Sequence, residues 1–312
     1  MTLVGKYELL QQLGAGAMGI VYRARDTILD REVALKVMRP ESQMDNETLE
    51  RFRREARAGA QLKHPSIVTV YDMGETEGSG TYIAMELLDG VDWRAALKQR
   101  PPAPLATKIA LIVQVCEGLS HAHRHGIVHR DVKPSNLFVH QQHQAKILDF
   151  GIARLASSHL TRTGKILGTP NYMAPEQIIG QKCDSRSDLF SVAMVSFEFL
   201  SGSHPFQAPF IPKRIANDFP ERLTDVDPRL PEELDFVLQK AMDKNPDERY
   251  QTGEDFAGAL RSVLANGALS LGQTAVGTEH RDEMTETLTV AFTPDAPTVA
   301  AKEQESGPEF IP

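Results

Sequence analysis

In the stretch His129-Arg130-Asp131-Val132-Lys133-Pro134-Ser135-Asn136, three polar groups of different chemistry follow one another closely. Asp131 is a candidate base, Lys133 adds a positive charge two residues on, and Asn136 offers a metal-ligating oxygen five residues on. A short loop with that spacing can present all three to one phosphate-transfer site. There, positioning and charge neutralisation do most of the catalytic work. Alone, the run also reads as a polar turn after a helix, so its companions decide.

Asp149-Phe150-Gly151 follows 18 residues after Asp131, at the end of a β-prone stretch. Asp131, Asn136 and Asp149 are then three oxygen-bearing groups on converging segments. Few carboxylates completed by phosphate oxygens is the set Mg²⁺ prefers. Lys36 lies in Glu32-Val33-Ala34-Leu35-Lys36-Val37-Met38, a strand apolar enough to be buried on both faces. An unpaired ammonium there is costly, so Lys36 needs an anionic partner. Gly14-Ala15-Gly16-Ala17-Met18-Gly19 precedes Ile20-Val21-Tyr22-Arg23-Ala24, which alternates like a strand instead of opening a helix. Strand, glycine turn and strand make a flap that can lie over phosphates, unlike a dinucleotide-binding fingerprint.

The supporting elements follow from periodicity. Strands are expected at Tyr7 to Leu13, Val68 to Met73 and Tyr82 to Leu88, with Gly74 to Gly80 as a hairpin turn. Residues 46–62 carry helical periodicity through Leu49, Phe52, Ala56 and Leu62, and His64-Pro65 ends that helix. Leu105 to His125 reads as a long amphipathic helix stopped by Gly126. Leu137 to Val139 and Ala145 to Leu148 form a hairpin, and an apolar helix opens at Asp188 and runs to Leu200. His121, His123 and His125 invite a metal reading, but a spacing of two cannot place all three on one helix face.

In order and spacing these motifs resemble the bacterial eukaryotic-like (Hanks-type) serine/threonine protein kinases over about residues 7–265. Further matches are Gly168-Thr169-Pro170-Asn171-Tyr172-Met173-Ala174-Pro175-Glu176, which resembles the end of an activation segment, and Arg249 as an ion-pair partner for Glu176. Met18 replaces a common aromatic residue and Ala193 a common glycine, both mild departures. The resemblance implies a bilobed α+β fold in residues 1–265, with a β-rich N-lobe (1–86) and a helical C-lobe (87–265). It implies ATP with Mg²⁺, or Mn²⁺, as cofactors.

By residue, the resemblance places Leu13, Gly14, Ala15, Gly16 and Gly19 over the nucleotide, Val21 and Ala34 above adenine, and Phe138 below it. Met85 matches the gatekeeper, and Glu86 and Leu88 offer hinge backbone groups. Lys36 would hold the α- and β-phosphates and pair with Glu55, in the pattern Arg53-Arg54-Glu55-Ala56, with Glu50 as fallback. Asn136 and Asp149 would ligate the metal, Asp131 would be the base, and Lys133 would steady the moving phosphoryl group. Thr161 and Thr163 match an autophosphorylated doublet whose phosphate could pair with Arg130, and Thr169 matches a residue bonded to Asp131 and Lys133.

Lys133 and Gly168-Thr169-Pro170 favour Ser/Thr acceptors on protein substrates. The resemblance also implies an opposing Ser/Thr phosphatase and phosphothreonine-reading domains, for which Thr285, Thr287, Thr289 and Thr293 are candidate marks. Lys6, Leu29 and Asp72 match positions of a small-lobe homodimer, and equally read as lone surface residues. A pseudokinase-type scaffold and a small-molecule phosphotransferase remain as other readings. The first normally loses Lys36, Asp131 or Asp149, and the second usually lacks the Ala174-Pro175-Glu176 boundary.

Composition fits. The 312 residues are 41% hydrophobic and 24% charged, enough to build a large core. The net charge of −8 argues against nucleic acid or an anionic membrane as partner. From Asn266 onward there are eight acidic residues against two basic ones, so residues 266–312 read as an acidic, disordered Thr/Pro-containing tail. Cys116 and Cys183 form no zinc spacing or disulfide framework, which suits a reducing compartment. With no signal peptide and no apolar run long enough to span a bilayer, the expected location is the cytoplasm.

Overall fold

Strand alternation sets which side chains of the small lobe can reach a ligand. In β4 (Arg31–Met38), Val33 and Leu35 face one way and join Val4, Tyr7, Ala24, Tyr82 and Ala84 in an apolar cluster. Ala34, Lys36 and Met38 therefore face the other way. On that side Ala34 and Met38 pack with Val68, Ile83 and Met85. Our computed structural model describes residues 2–15, 19–38, 59–76, 80–99, 102–150, 170–206 and 211–273.

β4 sits in a six-stranded antiparallel sheet of order β1-β2-β3-β4-β6-β5. Its other strands are β1 (Leu3–Val4), β2 (Tyr7–Ala15), β3 (Gly19–Asp26), β5 (Val70–Thr76) and β6 (Gly80–Met85). Register places Val21 opposite Lys36 and Ala34 opposite Met85, so these four share the ligand-facing side. The β2–β3 ladder shifts register twice, between Leu9 and Gln11 and between Gln12 and Gly14, which bends the hairpin near its glycine turn. A Cβ on Gly19 would strike the Val37 carbonyl, so β3 can start against β4 only with glycine. β6 stops at Met85, not at Leu88 as its apolar run suggested, because the Glu86 N–H turns to the Thr69 carbonyl (2.9 Å). β5 in turn runs on to Thr76, narrowing the expected turn. Of the helix expected over 46–62, residues 59–62 are described, and 59–61 are helical.

The large lobe begins with a three-stranded sheet, β7 (Gly90–Asp92), β8 (Leu137–His140) and β9 (Gln144–Ile147), in the order β7-β8-β9. Ile147 exchanges backbone hydrogen bonds with Ser66 (2.8 Å) and Val68 (3.0 Å), tying β9 to the segment that enters β5. The helices are α1 (Trp93–Ala96), α2 (Leu105–Arg124), α3 (Pro175–Ile178), α4 (Ser185–Ser201), α5 (Ile211–Asn217), α6 (Leu223–Val226), α7 (Glu233–Ala241) and α8 (Gly253–Gln273). Two are buried nearly all round: α2 through Ile109, Leu111, Ile112, Val115, Cys116 and Leu119, and α4 through Leu189, Phe190, Ala193, Met194 and Phe197. No helix among the described residues is long and apolar enough to cross a membrane.

Two boundaries differ from expectation. α4 opens at Ser185, because the Asp184 side chain accepts the Arg186 N–H and caps the helix. Asp188 thereby moves inside the first turn. α8 continues past Leu264 and past the 265/266 boundary to Gln273. Glycine in a helix costs only about 1 kcal/mol relative to alanine, and extending an existing helix needs no new nucleus. Residues 274–312, with Thr285, Thr287, Thr289 and Thr293, lie outside the described residues.

The expected Glu176–Arg249 pair is formed in the core of the large lobe. Arg249 is fully buried and its guanidinium grips both Glu176 oxygens at 2.8 and 2.9 Å. Its remaining donors go to the carbonyls of Asp243 (2.7 Å), Lys244 (3.2 Å) and Arg186 (3.2 Å), and Ser187 Oγ donates to Glu176 (2.6 Å). Burial would raise the Glu176 pKa, but Arg249 and the Ser187 hydroxyl outweigh it and hold the carboxyl below its ordinary 4.5. A depressed folded pKa stabilises the protein fully above 4.5 and loses that contribution as pH falls through the lower folded value. Arg249→Met, which strands a buried carboxylate, is expected to cost about 3–5 kcal/mol in urea unfolding at pH 7 and less at pH 3. An equal loss at both pH values would show that packing, and not the pair, is responsible.

Candidate active site

The loop after α2 is held by a carboxylate from α4. Asp188, almost fully buried, accepts the backbone N–H groups of His129 (2.7 Å) and Arg130 (2.7 Å) and contacts His123 Nε2 (2.8 Å). Arg130 has φ 63°, in the left-handed region where a side chain costs energy. The two hydrogen bonds to Asp188 hold the chain in that turn. Next to it, the His129 ring accepts the Asp131 N–H at Nδ1 (3.2 Å) and donates from Nε2 to the Leu148 carbonyl (2.9 Å). The ring also packs on Phe150 at 4.9 Å between centroids. His129 therefore binds the Asp131 loop to the Asp149 segment, where Asp149 itself has φ 50°.

These constraints gather the polar groups. Lys133 Nζ lies 2.7 Å from Asp131 Oδ2, and Asn136 Nδ2 donates to the Asp131 carbonyl (2.8 Å) and to Oδ2 (3.1 Å). With its nitrogen so engaged, Asn136 has its side-chain oxygen left as a ligand. The Leu148 N–H donates to the Asn136 carbonyl (2.9 Å) beside the β8–β9 ladder, so Asn136 and Asp149 stand at adjacent strand ends. Lys36 reaches across from β4 and pairs with Asp149 Oδ2 at 2.8 Å. Burial would raise the Asp149 pKa, but Lys36, with help from His129 and Lys133, holds it below the ordinary carboxylate value. Glu55 and Glu50 lie outside the described residues, and the anionic partner of Lys36 among those described is Asp149.

A cavity beside Asp131 is lined by Arg130, Lys133, Tyr172, Met173, Gln177 and Ser191, among others. Val21, Ala34, Met85, Leu88 and Leu148 belong to one apolar cluster. Phe138 is half-buried and lies opposite Lys146 in the β8–β9 register, on the face turned away from the core residues Leu137 and Val139. From that face Lys146 reaches Glu86 Oε2 at 2.8 Å, which puts Phe138 under the 86–88 linker. Glu86 has one backbone group left to offer. Its N–H is taken by Thr69 and its carboxylate by Lys146 and the Thr69 N–H (3.2 Å), which leaves its carbonyl. Leu13 is 46% exposed, and a Cβ on Gly14 would meet open space, as suits residues that cover a ligand. Ala15 ends β2 beside them, whereas Gly16, Thr161, Thr163 and Thr169 lie outside the described residues.

The protein kinase domain family model matches residues 7–257. The chain belongs to the protein kinase family. Among curated relatives of this kinase, PknB of Mycolicibacterium smegmatis is a serine/threonine-protein kinase 40% identical over 281 residues, 84% of this chain and 43% of the relative. The serine/threonine-protein kinase PrkC of Bacillus subtilis is 34% identical over 291 residues, 92% of this chain and 44% of the relative. The chain thus spans less than half the length of these relatives. The Mycobacterium tuberculosis PknI kinase domain is a structural match with TM-score 0.69 and 31% identity, covering 84% of this chain and 98% of that one. The bilobed α+β fold expected from the sequence is the fold of this kinase.

Sequence reasoning missed the parts that hold the site: Asp188, His123, the double role of His129, and the Lys146–Glu86 pair. A carboxylate in the first turn of an otherwise apolar helix was the available signal for Asp188. The three helix-end histidines have separate contacts. His123 meets Asp188, His125 Nδ1 meets the His121 carbonyl (2.8 Å), and the His121 ring lies near those of His64 and His125. Asp188→Ala would orphan the buried His129 N–H and the part-buried Arg130 N–H and release Arg130 from its turn. It is expected to cost at least about 3 kcal/mol of stability in urea unfolding, since hydrogen bonds to a charged group contribute about 1.5–3 kcal/mol each. An unchanged midpoint would mean that the loop holds itself.

Proposed function

We propose that this chain is an ATP- and Mg²⁺-dependent serine/threonine protein kinase that moves the γ-phosphoryl group of ATP to Ser or Thr hydroxyls of proteins. The convergence of Asp131, Lys133, Asn136, Asp149 and Lys36 on one cleft supports this most directly. The names of the relatives and the single turn that presents Asp131 and Lys133 together support a Ser/Thr acceptor.

Asp131 takes the proton from the acceptor hydroxyl. Its carboxylate is already aimed by Lys133 and Asn136, so orientation costs little at the moment of reaction. As the acceptor oxygen bonds to the γ-phosphorus, the bond to the ADP oxygen breaks and the charge on the moving group is met by Lys133. Lys36 serves the α- and β-phosphates, with Glu55 as its partner in that arrangement. Leu13, Gly14, Ala15, Gly16 and Gly19 cover the triphosphate, and Val21, Ala34, Met85, Leu88 and Phe138 enclose adenine, with the Glu86 carbonyl facing its edge. Asn136 Oδ1 and the ionised Asp149 are hard oxygen donors that fit Mg²⁺ or Mn²⁺. Such an ion neutralises phosphate charge when bound.

Control would come from Thr161 and Thr163, autophosphorylated and read by Arg130. An opposing Ser/Thr phosphatase, phosphothreonine-reading domains and a cytoplasmic location belong to the same proposal. A small-lobe homodimer has less support, because Lys6 and Asp72 already pair within the chain at 3.1 Å. A pseudokinase-type scaffold or a small-molecule phosphotransferase would use the same fold. Retention of Lys36, Asp131 and Asp149 in contact geometry favours turnover over the former.

The test is labelled ATP with Mg²⁺ and a degenerate Ser/Thr peptide library, followed by site mapping. Wild type is expected to transfer phosphate. Asp131→Asn is expected to lose about 10²–10⁴-fold in kcat, the range of a general base, and Lys36→Met to be comparably impaired. Nucleotide binding with no transfer to any peptide would reject the enzyme in favour of the scaffold. Separately, replacing Thr161 and Thr163 together by Ala is expected to slow peptide phosphorylation at least about tenfold, the effect of losing charge-assisted bonds to a phosphate. Undiminished turnover would remove them from control.

A further inference from the structure

The wall of the Asp131 cavity contributed by Tyr172 and Met173 has no regular element of its own beyond the single turn Pro170–Tyr172. Its backbone is fixed from outside. His204, in the connection after α4, donates from Nε2 to the Asn171 carbonyl at 2.9 Å. Its Nδ1 accepts the Phe206 N–H at 3.1 Å and lies 2.9 Å from the Phe206 carbonyl, and Phe206 is buried in the large-lobe core. The His204 ring stands edge-on to Tyr172 at 5.4 Å, while the Tyr172 hydroxyl donates to Glu198 on α4 at 2.6 Å. One imidazole thus bridges a core-anchored backbone and the strip of chain that borders the cavity beside Asp131.

We propose that His204 is a positioning residue for the protein acceptor: by holding the Asn171 carbonyl it sets where Tyr172 and Met173 stand, and so how a peptide lies when its hydroxyl meets Asp131. This rests on the protein kinase reading above. His204 touches none of the residues assigned to the nucleotide, and its effect falls on acceptor binding alone. It is also separable into two parts, a ring that packs and a nitrogen that donates.

Two substitutions divide those parts. His204→Phe keeps an aromatic ring against Tyr172 and Phe206 but removes the donor, whereas His204→Gln loses the ring and keeps an N–H at similar reach. The strongest acceptor from a degenerate Ser/Thr peptide library serves as probe, with KM for peptide and for ATP, kcat and thermal midpoint measured on each full chain. His204→Phe is expected to raise the peptide KM roughly five- to tenfold, the scale of one lost hydrogen bond, with the ATP KM unchanged. His204→Gln is expected to stay within about twofold of wild type. A normal peptide KM in His204→Phe, or a raised one only in His204→Gln, overturns the proposal and leaves His204 a packing residue. Equal rises in both KM values also overturn it. A wild-type chain that phosphorylates no peptide overturns the kinase reading itself, and this inference with it.

Discussion

Everything at the site depends on one buried carboxylate finding two backbone donors. The Asp188 side chain projects from α4, a helix surrounded by core, and accepts N–H groups from residues far away in sequence. A buried charge is tolerable only when its lone pairs are met, and here they are met by the backbone of the loop carrying Asp131. The two hydrogen bonds offset both the cost of burying Asp188 and the cost of the left-handed turn at Arg130.

Outward from that anchor, each polar group is fixed by the next. His129 carries the constraint to Leu148 and so to Asp149, and Asn136 carries it to Asp131. Asp149 brings the small lobe in through Lys36. The backbone bonds of Ile147 to Ser66 and Val68 and the Lys146–Glu86 pair are further ties between β9 and the small lobe and its linker. These three links all involve β9 or the residues just after it. A short strand is thus the common reference for the apolar and the charged walls of the cleft.

The sequence made the polar groups legible and their supports much less so. Asp131, Lys133, Asn136, Asp149 and Lys36 sit in short segments whose spacing alone restricts what they can do together. The shared face of Val21, Ala34 and Lys36 needed the β3–β4 register as well as strand alternation. Asp188 carried no such local pattern, because its partners lie 58 and 59 residues away. The end of β6 at Met85 is hidden for a related reason: Leu87 and Leu88 prolong the apolar pattern past Glu86, and Thr69 and Lys146 turn Glu86 aside. In α8 the change of composition after Leu264 was real, but a helix already under way tolerates glycine that would not have started one.

The Asp188 anchor also has a consequence in time. A surface loop normally opens and closes on its own, far faster than the domain unfolds. The amides of His129 and Arg130 are tied to a helix in the middle of the large-lobe core, so their exposure to solvent waits on that core. The loop therefore keeps the slow clock of the domain interior, and the geometry around Asp131 is set when the chain folds.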